Sequence, residues 1–357
     1  MVDNGHDGRG VAMRGRLPGL DLLRGVAVAL VLLNHAHPFF GGAGVVGVTM
    51  FFALSGYLIT GVLVRDIYLT GGVRLAVFYR NRALRLIPAL LLFLLGYVVV
   101  EGVFNHLGER GLVPQSVAVA LTYTTNIPGI PNGSGSLYHL WTLATEEQFY
   151  VLWPLVLLFG FRRVGLRRVV GLVAAGVVMM CVLTLKLTEP DVARVYALPS
   201  SWWLTIMIGS VAYLGREELA RLLPTTAGRR RALQLVVLAA IGVVAAIPGL
   251  AHSSLMYLLI APGVALGTAV LITYASHWDT LPSRLLRPLL HLGTISYAAY
   301  LWNAAIMRWL EPIGGLLASV LVVTLTLAAA TASWWLVERP VQRLRARLDR
   351  RQPALQR

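Results

Sequence analysis

Ten mostly apolar stretches, each close to the length of a membrane-spanning helix, divide this sequence from end to end. A helix needs about 20 apolar residues to cross a hydrocarbon core of about 30 Å, where it satisfies its own backbone hydrogen bonds. Hydrophobic residues make up 57% of the chain and charged residues 13%, against about 25% charged residues in soluble domains. We therefore expect an all-α, polytopic membrane helical bundle of about ten transmembrane helices. The stretches are residues 20–37, 44–64, 83–101, 138–159, 166–186, 199–214, 232–249, 254–274, 289–310 and 314–336.

The basic residues between these stretches predict which side of the membrane each connection faces. Cytoplasmic loops carry an excess of Lys and Arg. With the N-terminus inside, arginine clusters fall on that side in residues 65–85, 162–168, 216–231, 284–287 and 339–357. The opposite side holds only Arg110, Lys186, Arg194 and Arg308. We therefore expect a multi-pass protein of the cell membrane with both termini in the cytoplasm.

Three regions follow from this pattern. Residues 1–18 are polar, Gly-rich and basic, which predicts a disordered cytoplasmic tail. Residues 19–340 form the transmembrane domain, and we expect Pro340 to stop its last helix because proline has no backbone N–H. Residues 341–357 form a basic cytoplasmic tail. The longest connection on the opposite side, Glu101–Leu137, is rich in Pro, Gly, Asn and Ser and is expected to be a loop.

Composition also excludes several classes of function. The net charge of +15 does not indicate a nucleic-acid partner, because such binding needs basic residues gathered on one face of a soluble domain. The lone cysteine, Cys181, lies within an apolar stretch, so the residues for a disulfide or a zinc site are missing. We expect no metal ion and no nucleic acid.

The first apolar stretch carries three titratable residues, Asp21, Arg24 and His35. Such groups are costly inside a bilayer and therefore mark candidate functional sites. A helix turns by about 100° per residue, so the 11-residue step from Arg24 to His35 returns to within about 20° of the same face. This face is expected to lie against protein or a water-filled cavity rather than lipid.

The fourth stretch carries two adjacent carboxylates, Glu146 and Glu147, about two turns inside its outer end. His35 lies about 21 Å along its helix from Asp21, so the histidine and the carboxylates belong to the same half of the membrane. At matching depth they could form a base and its orienting acid. Alternatively, the glutamates and Gln148 only join helices through hydrogen bonds.

Two arginines, Arg82 and Arg85, lie one helical turn apart at the inner end of the third stretch. Side chains at this spacing share a helix face, and paired guanidinium groups suit phosphate. The alternative role is that of topology signals or lipid anchors, which is common for arginines beside a spanning helix.

The ninth and second stretches add further polar groups. Ser296, Tyr300 and Asn303 are spaced i, i+4, i+7 and so form one stripe on a helix. Ser55 precedes Gly56, a pair that permits close helix approach. Packing between helices is the commoner role of both groups.

Six motifs in this order resemble the integral-membrane acyltransferase-3 family and cover residues 20–340. The motifs are LDLLRGVAVALVLLNH, GVTMFFALSGYLIT, FYRNRALRLIP, LWTLATEEQFYVLWP, ISYAAYLWN and LVERP. Members of this family transfer acetyl or longer acyl groups from acyl-CoA to hydroxyls, commonly of cell-surface sugars or of macrolide antibiotics. The resemblance implies a bacterial membrane O-acyltransferase. Its donor substrate would be an acyl-CoA, either acetyl-CoA or another short acyl-CoA.

The resemblance also assigns the catalytic residues. The family's motif histidine falls on His35, which is expected to remove the proton from an acceptor hydroxyl as that hydroxyl attacks the thioester. Glu146 or Glu147 is expected to orient the imidazole or to accept hydrogen bonds from the sugar. A transient acyl-His35 intermediate is a second possibility.

The family's companion arginine falls on Arg24, and its Arg-x-x-Arg motif falls on Arg82 and Arg85. The resemblance implies that the latter pair meets the phosphates of CoA and that the pantetheine arm extends past Arg24 towards His35. The other expected substrate contacts are Asp21, Ser55, Tyr150, Tyr300 and Asn303.

The acceptor is expected to be a hydroxylated sugar or a glycosylated natural product such as a macrolide. Many family members append an esterase-like domain, which this sequence does not contain; together with the Arg-rich composition, this leans towards a macrolide and a self-contained enzyme. A transporter or flippase of a lipid-linked sugar is the main alternative, because intramembrane charges also mark substrate pathways. Transporters often show paired halves with broken helices, and no such symmetry is evident. A third hypothesis is a non-catalytic membrane scaffold. Such a protein would have no reason to keep His35, Arg82 and Glu146 at complementary depths in the membrane.

Overall fold

The computed structural model describes residues 17–36, 40–131, 133–188, 195–278, 280 and 283–350. Within these ranges the chain forms α-helices, short 3-10 and π-helical turns, and no strand. The α-helices are α1 Pro18–Ala36, α2 Ala43–Thr70, α3 Leu75–Tyr97, α4 Val113–Thr122, α5 Trp141–Phe159, α6 Leu166–Thr188, α7 Pro199–Leu214, α8 Arg216–Leu222, α9 Ala227–Ala245, α10 Ala261–Ala275, α11 Arg287–Thr294, α12 Ser296–Leu310, α13 Gly315–Ser333 and α14 Arg339–Arg350.

All ten predicted stretches fall mainly in helical segments, but the ninth, residues 289–310, is divided at Ile295 into α11 and α12. Six helical runs in the described ranges are long and apolar enough to cross a membrane: Pro18–Ala36, Ala43–Thr70, Leu75–Val103, Leu166–Thr188, Met256–Ala275 and Gly315–Arg345. Of the others, α7 and α12 have 16 and 15 residues, α5 carries two glutamates, and α9 begins beside three arginines. An all-α, multi-pass membrane protein is confirmed, whereas the count of ten spans and the cytoplasmic termini stay predictions.

The prediction that Pro340 stops the last helix is wrong. The backbone continues from α13 through a π-helical turn, Trp334–Glu338, into α14, and Pro340 is the second residue of α14. A proline in the first turn of a helix loses little, because its missing N–H would have no partner there. The tail predicted from residue 341 therefore begins as helix. The predicted N-terminal tail lies outside the described residues except for its end, where α1 already begins at Pro18.

The connection predicted as a loop, Glu101–Leu137, contains helix α4 and ends against α5. Asn126 donates to the hydroxyl of Thr145 at 3.0 Å, and Gln148 of α5 donates to the Asn126 side chain at 2.8 Å. Gln148 also donates to the backbone oxygen of Tyr123 at 3.2 Å. These bonds hold the connection over the N-terminal half of α5, which carries the candidate carboxylates.

Close glycine contacts place α1 in the centre of the bundle. A Cβ on Gly25 would collide with the backbone oxygen of Leu289 in α11, and a Cβ on Gly293 would collide with that of Asp21 in α1. Small residues of this kind let helix backbones approach closely within a membrane. Because α1 also packs against α2 and α12, its polar face is turned towards protein, as predicted.

Candidate active site

Arg82 is the centre of an ion-pair network that joins α2, α3 and α5. Its Nε donates to Oε1 of Glu147 at 2.8 Å, and its Nη2 lies 2.7 Å from the same oxygen and 3.9 Å from Oε2 of Glu146. The guanidinium carbon lies 3.5 Å from the ring centroid of Tyr150. Ser55 donates to Oε1 of Glu146 at 2.7 Å. Both buried carboxylates therefore have partners, as charges inside a membrane require.

Arg85 has quite different surroundings, although it follows Arg82 by one turn. No described residue forms an ion pair or a hydrogen bond with its side chain, which is exposed to two cavities. Another cation, Arg24, lines both cavities together with Arg85, and its Nη1 lies 3.4 Å from Oδ1 of Asp21. The predicted pair of phosphate-binding arginines is thus divided: the structure engages Arg82 with glutamates and leaves Arg85 available to an anion.

Two cavities meet at Arg24 and Arg85. The first has a volume of about 160 Å³ and extends to Ser55 and Glu146. The second has a volume of about 760 Å³ and extends from Asp21 to α14. The residues common to both linings are Arg24, Leu58, Val62, Arg85, Ser296 and Tyr297. The two cavities therefore adjoin at Arg85, with α14 at the far side of the second and the carboxylate of Glu146 in the wall of the first.

His35 is bonded to Asn303 of α12 and not to either glutamate. Its Nδ1 lies in hydrogen-bond contact with Oδ1 of Asn303, whose amide nitrogen donates to the hydroxyl of Thr326 at 3.3 Å. With the amide oxygen of Asn303 facing the ring, this contact requires the tautomer in which Nδ1 carries the proton, and that tautomer leaves Nε2 as the basic nitrogen. This geometry does not match the expectation that Glu146 or Glu147 orients the imidazole. Both carboxylates instead lie beside the guanidinium of Arg82.

Thr142 and Tyr300 form a hydrogen-bonded layer in the wall of the first cavity. Thr142 donates to the hydroxyl of Tyr300 at 2.6 Å, and Tyr300 donates to the backbone oxygen of His139 at 2.7 Å. Thr142 and Tyr300 line the first cavity, whereas His35 lines neither cavity. The sequence pattern predicted Tyr300 but neither Thr142, which falls in the motif that contains the glutamates, nor His139, which immediately precedes that motif.

Tyr123 is a further residue near the site that the sequence analysis did not predict. It follows α4 with a positive φ of 55°, which an L-residue other than Gly, Asn or Asp seldom adopts. Burial, together with the charge of Glu147, raises the pKa of Tyr123 to about 12, so the phenol stays protonated. No sequence motif indicates this position, because the proximity of Tyr123 to α5 depends on how the connection folds back over that helix.

Among the predicted site residues, Arg24, Ser55, Arg82, Arg85, Glu146, Tyr150 and Tyr300 line the first cavity, and Asp21 lines the second. His35 and Asn303 form a separate hydrogen-bonded pair. Glu147 lines neither cavity but binds Arg82, which lines the first. The described residues contain no group of three or more His, Cys, Asp or Glu side chains that could hold a metal ion.

Comparison with known proteins supplies the context for this arrangement. The family model described as an acyltransferase domain matches residues 17–339. The chain belongs to the acyltransferase-3 family. This match spans α1 to α13 and every residue of the site. It confirms the family resemblance that the six motifs indicated.

Relatives within the acyltransferase-3 family come from several bacteria. O-acetyltransferase OatA of Staphylococcus aureus (strain NCTC 8325 / PS 47) is 28% identical over 362 residues, which cover 92% of this chain and 57% of that protein. Peptidoglycan O-acetyltransferase OatA of Listeria monocytogenes is 28% identical, with 92% and 56% covered. Putative peptidoglycan O-acetyltransferase YrhL of Bacillus subtilis is 29% identical, with 91% and 55% covered. The chain thus spans a little over half the length of these relatives. No solved structure shows a significant match.

Proposed function

We propose that this protein is a membrane O-acyltransferase that moves an acetyl or other short acyl group from acyl-CoA to a hydroxyl of a cell-envelope sugar. Family membership supports acyl transfer. The printed names of the relatives favour a peptidoglycan sugar over a macrolide as the class of acceptor. This preference replaces the macrolide to which the composition leaned.

The observation that carries the donor assignment is Arg85. A guanidinium group without an acidic partner among the described residues is costly inside a membrane protein, unless an anion or water occupies the space beside it. Both cavities open onto it, and the larger reaches α14. We assign the phosphates of acyl-CoA to Arg85 and Arg24, with the pantetheine arm in the first cavity.

His35 is assigned the role of general base. With Nδ1 held by Asn303, Nε2 takes the proton from the acceptor hydroxyl while the hydroxyl oxygen attacks the thioester carbonyl. The carbon–sulfur bond then breaks, and the CoA thiolate recovers the proton from the imidazolium. The two-step route, in which Nε2 itself accepts the acyl group before the sugar does, uses the same geometry.

The glutamates are assigned different roles in this scheme. Glu146 lines the first cavity beside Ser55 and is placed to accept hydrogen bonds from the bound substrate. Glu147 is a positioning residue, because its carboxylate holds the guanidinium of Arg82. Arg82 in turn keeps Glu146 and Tyr150 in place at the cavity wall.

The test uses the full chain purified in detergent with labelled acetyl-CoA, and measures release of free CoA with and without peptidoglycan fragments or a macrolide as acceptor. We expect acceptor-dependent release that falls by about 100-fold or more in His35→Ala, since positioned bases contribute this much. His252→Ala, which changes an exposed histidine in a 3-10 turn, is the matched control. Equal release in wild type and His35→Ala, with both proteins folded, would exclude His35 as the base.

A further inference from the structure

The hydrogen-bonded pair of Thr142 and Tyr300 forms part of the wall of the first cavity, which His35 does not line. Their hydroxyls are bonded to each other at 2.6 Å, and both side chains close one end of the first cavity. On the same helix as Tyr300, Asn303 lies almost one turn further along and binds His35. Tyr300 therefore lines the first cavity and lies less than one helical turn from the residue that binds His35.

The backbone of His139 anchors this layer. Its oxygen accepts a hydrogen bond from Tyr300 at 2.7 Å, and the Thr142 hydroxyl, whose single proton points to Tyr300, lies 3.2 Å from the same oxygen. Its buried ring lies with its centroid 5.5 Å from that of Tyr300, and its Nε2 donates to the backbone oxygen of Leu301 at 3.0 Å. Tyr300 is thus fixed at the cavity wall by packing and by two hydrogen bonds.

We propose that the Tyr300–Thr142 layer is a barrier that opens when acceptor binds, so that the acyl donor meets His35 only in the presence of a sugar hydroxyl. This inference rests on the proposed acyl transfer. Without such a barrier, water activated by His35 would attack the thioester carbonyl, the carbon–sulfur bond would break, and acetate and CoA would leave. Exclusion of water from a reactive intermediate is a general requirement of transfer enzymes.

Removal of one hydroxyl tests this proposal. Tyr300→Phe keeps the ring but removes both hydrogen bonds of the hydroxyl, so the layer should open without acceptor. We expect the ratio of acceptor-independent CoA release to acyl transfer to rise about fivefold or more. Tyr257→Phe is the matched control, because the buried Tyr257 hydroxyl also donates to a backbone oxygen, that of Ala251 at 2.8 Å, outside both cavities.

The outcomes separate the barrier from the proposed function. If wild type shows no acceptor-dependent release at all, the proposed function fails. If wild type transfers acyl groups but Tyr300→Phe leaves the ratio unchanged, or Tyr257→Phe raises it equally, the barrier is refuted. Thr142→Ser keeps a hydroxyl and should preserve the wild-type ratio.

A labelling experiment tests the barrier without any reaction. Ser55→Cys places a thiol in the first cavity, and an impermeant maleimide is applied on the side where Gly111→Cys reacts. Ser55→Cys should stay unlabelled when Tyr300 is present and become labelled in combination with Tyr300→Ala. Labelling of Ser55→Cys alone, or no labelling of the combined variant, would overturn the proposal whether or not the protein transfers acyl groups. The native Cys181 is fully buried.

Discussion

Arg82 of α3 donates through Nε to Oε1 of Glu147 in α5 at 2.8 Å, and this contact holds the walls of the candidate active site together. Both side chains are mostly buried, with 13% and 17% of their surfaces exposed. Loss of one partner of a buried ion pair leaves an uncompensated charge and is far more costly than replacement of both.

We therefore expect Arg82→Met to lower the free energy of unfolding by about 3 kcal/mol, because Glu147 then loses its main partner. The double variant Arg82→Met/Glu147→Leu should recover part of this loss. Thermal unfolding in detergent measures both. If the double variant loses more unfolding free energy than the two single variants together, the two charges do not compensate each other.

Arg85→Ala should behave differently, because Arg85 has no acidic partner among the described residues to leave behind. We expect the KM for acetyl-CoA to rise about tenfold, as for loss of one charge-assisted contact, with little change in the melting temperature or in the KM for acceptor. Arg74→Ala is the control, since Arg74 forms an exposed pair with Asp66 at 2.7 Å. An unchanged KM for acetyl-CoA would remove Arg85 from the donor site.

Asn303→Ala should lower kcat by about 100-fold with little effect on the KM for acyl-CoA, because His35 loses the acceptor that fixes its tautomer. Asn303→Asp retains an oxygen acceptor at the same place and should keep more activity. Thr326→Val, which touches His35 only through Asn303, should have a smaller effect. Steady-state kinetics with acyl-CoA and acceptor measure these effects. Full activity of Asn303→Ala would show that another group orients the His35 ring.

Gly25→Ala should destabilise the bundle by about 1–3 kcal/mol, since its Cβ would meet the backbone of α11 and backbone atoms cannot move aside locally. Gly176→Ala provides the contrast. A Cβ at Gly176 meets nothing within 4 Å, so only the better helix propensity of alanine is expected to act, in the stabilising direction. The melting temperatures of the two variants in detergent should therefore change in opposite directions.

Two glycines also test the predicted orientation. Gly111 and Gly228 each have open space for a side chain and lie in connections that the arginine pattern places on opposite sides. An impermeant thiol reagent should label Gly111→Cys in intact cells and Gly228→Cys only after lysis. The reverse result would invert the topology, and equal labelling of both in intact cells would change the number of spans between them.

The helical architecture was predictable because its determinants are local. An apolar stretch must form a helix in lipid to satisfy its backbone, so hydrophobicity alone located every long helix. Helical periodicity likewise placed Arg24 and His35 on one face of α1. Where a local rule failed, as at Pro340, the backbone avoided the cost through a π-helical turn and a position in the first turn of α14.

The sequence by itself therefore determined the class of protein, the helices and the residue types of the candidate site. Only the tertiary structure decided which of these residues are partners. Arg82 and Glu147 are 65 positions apart, and His35 and Asn303 are 268 positions apart. Spacing along one helix cannot distinguish Arg82 from Arg85, because both project from the same face. Their roles differ because α5 brings its carboxylates to Arg82 and leaves Arg85 at the junction of two cavities.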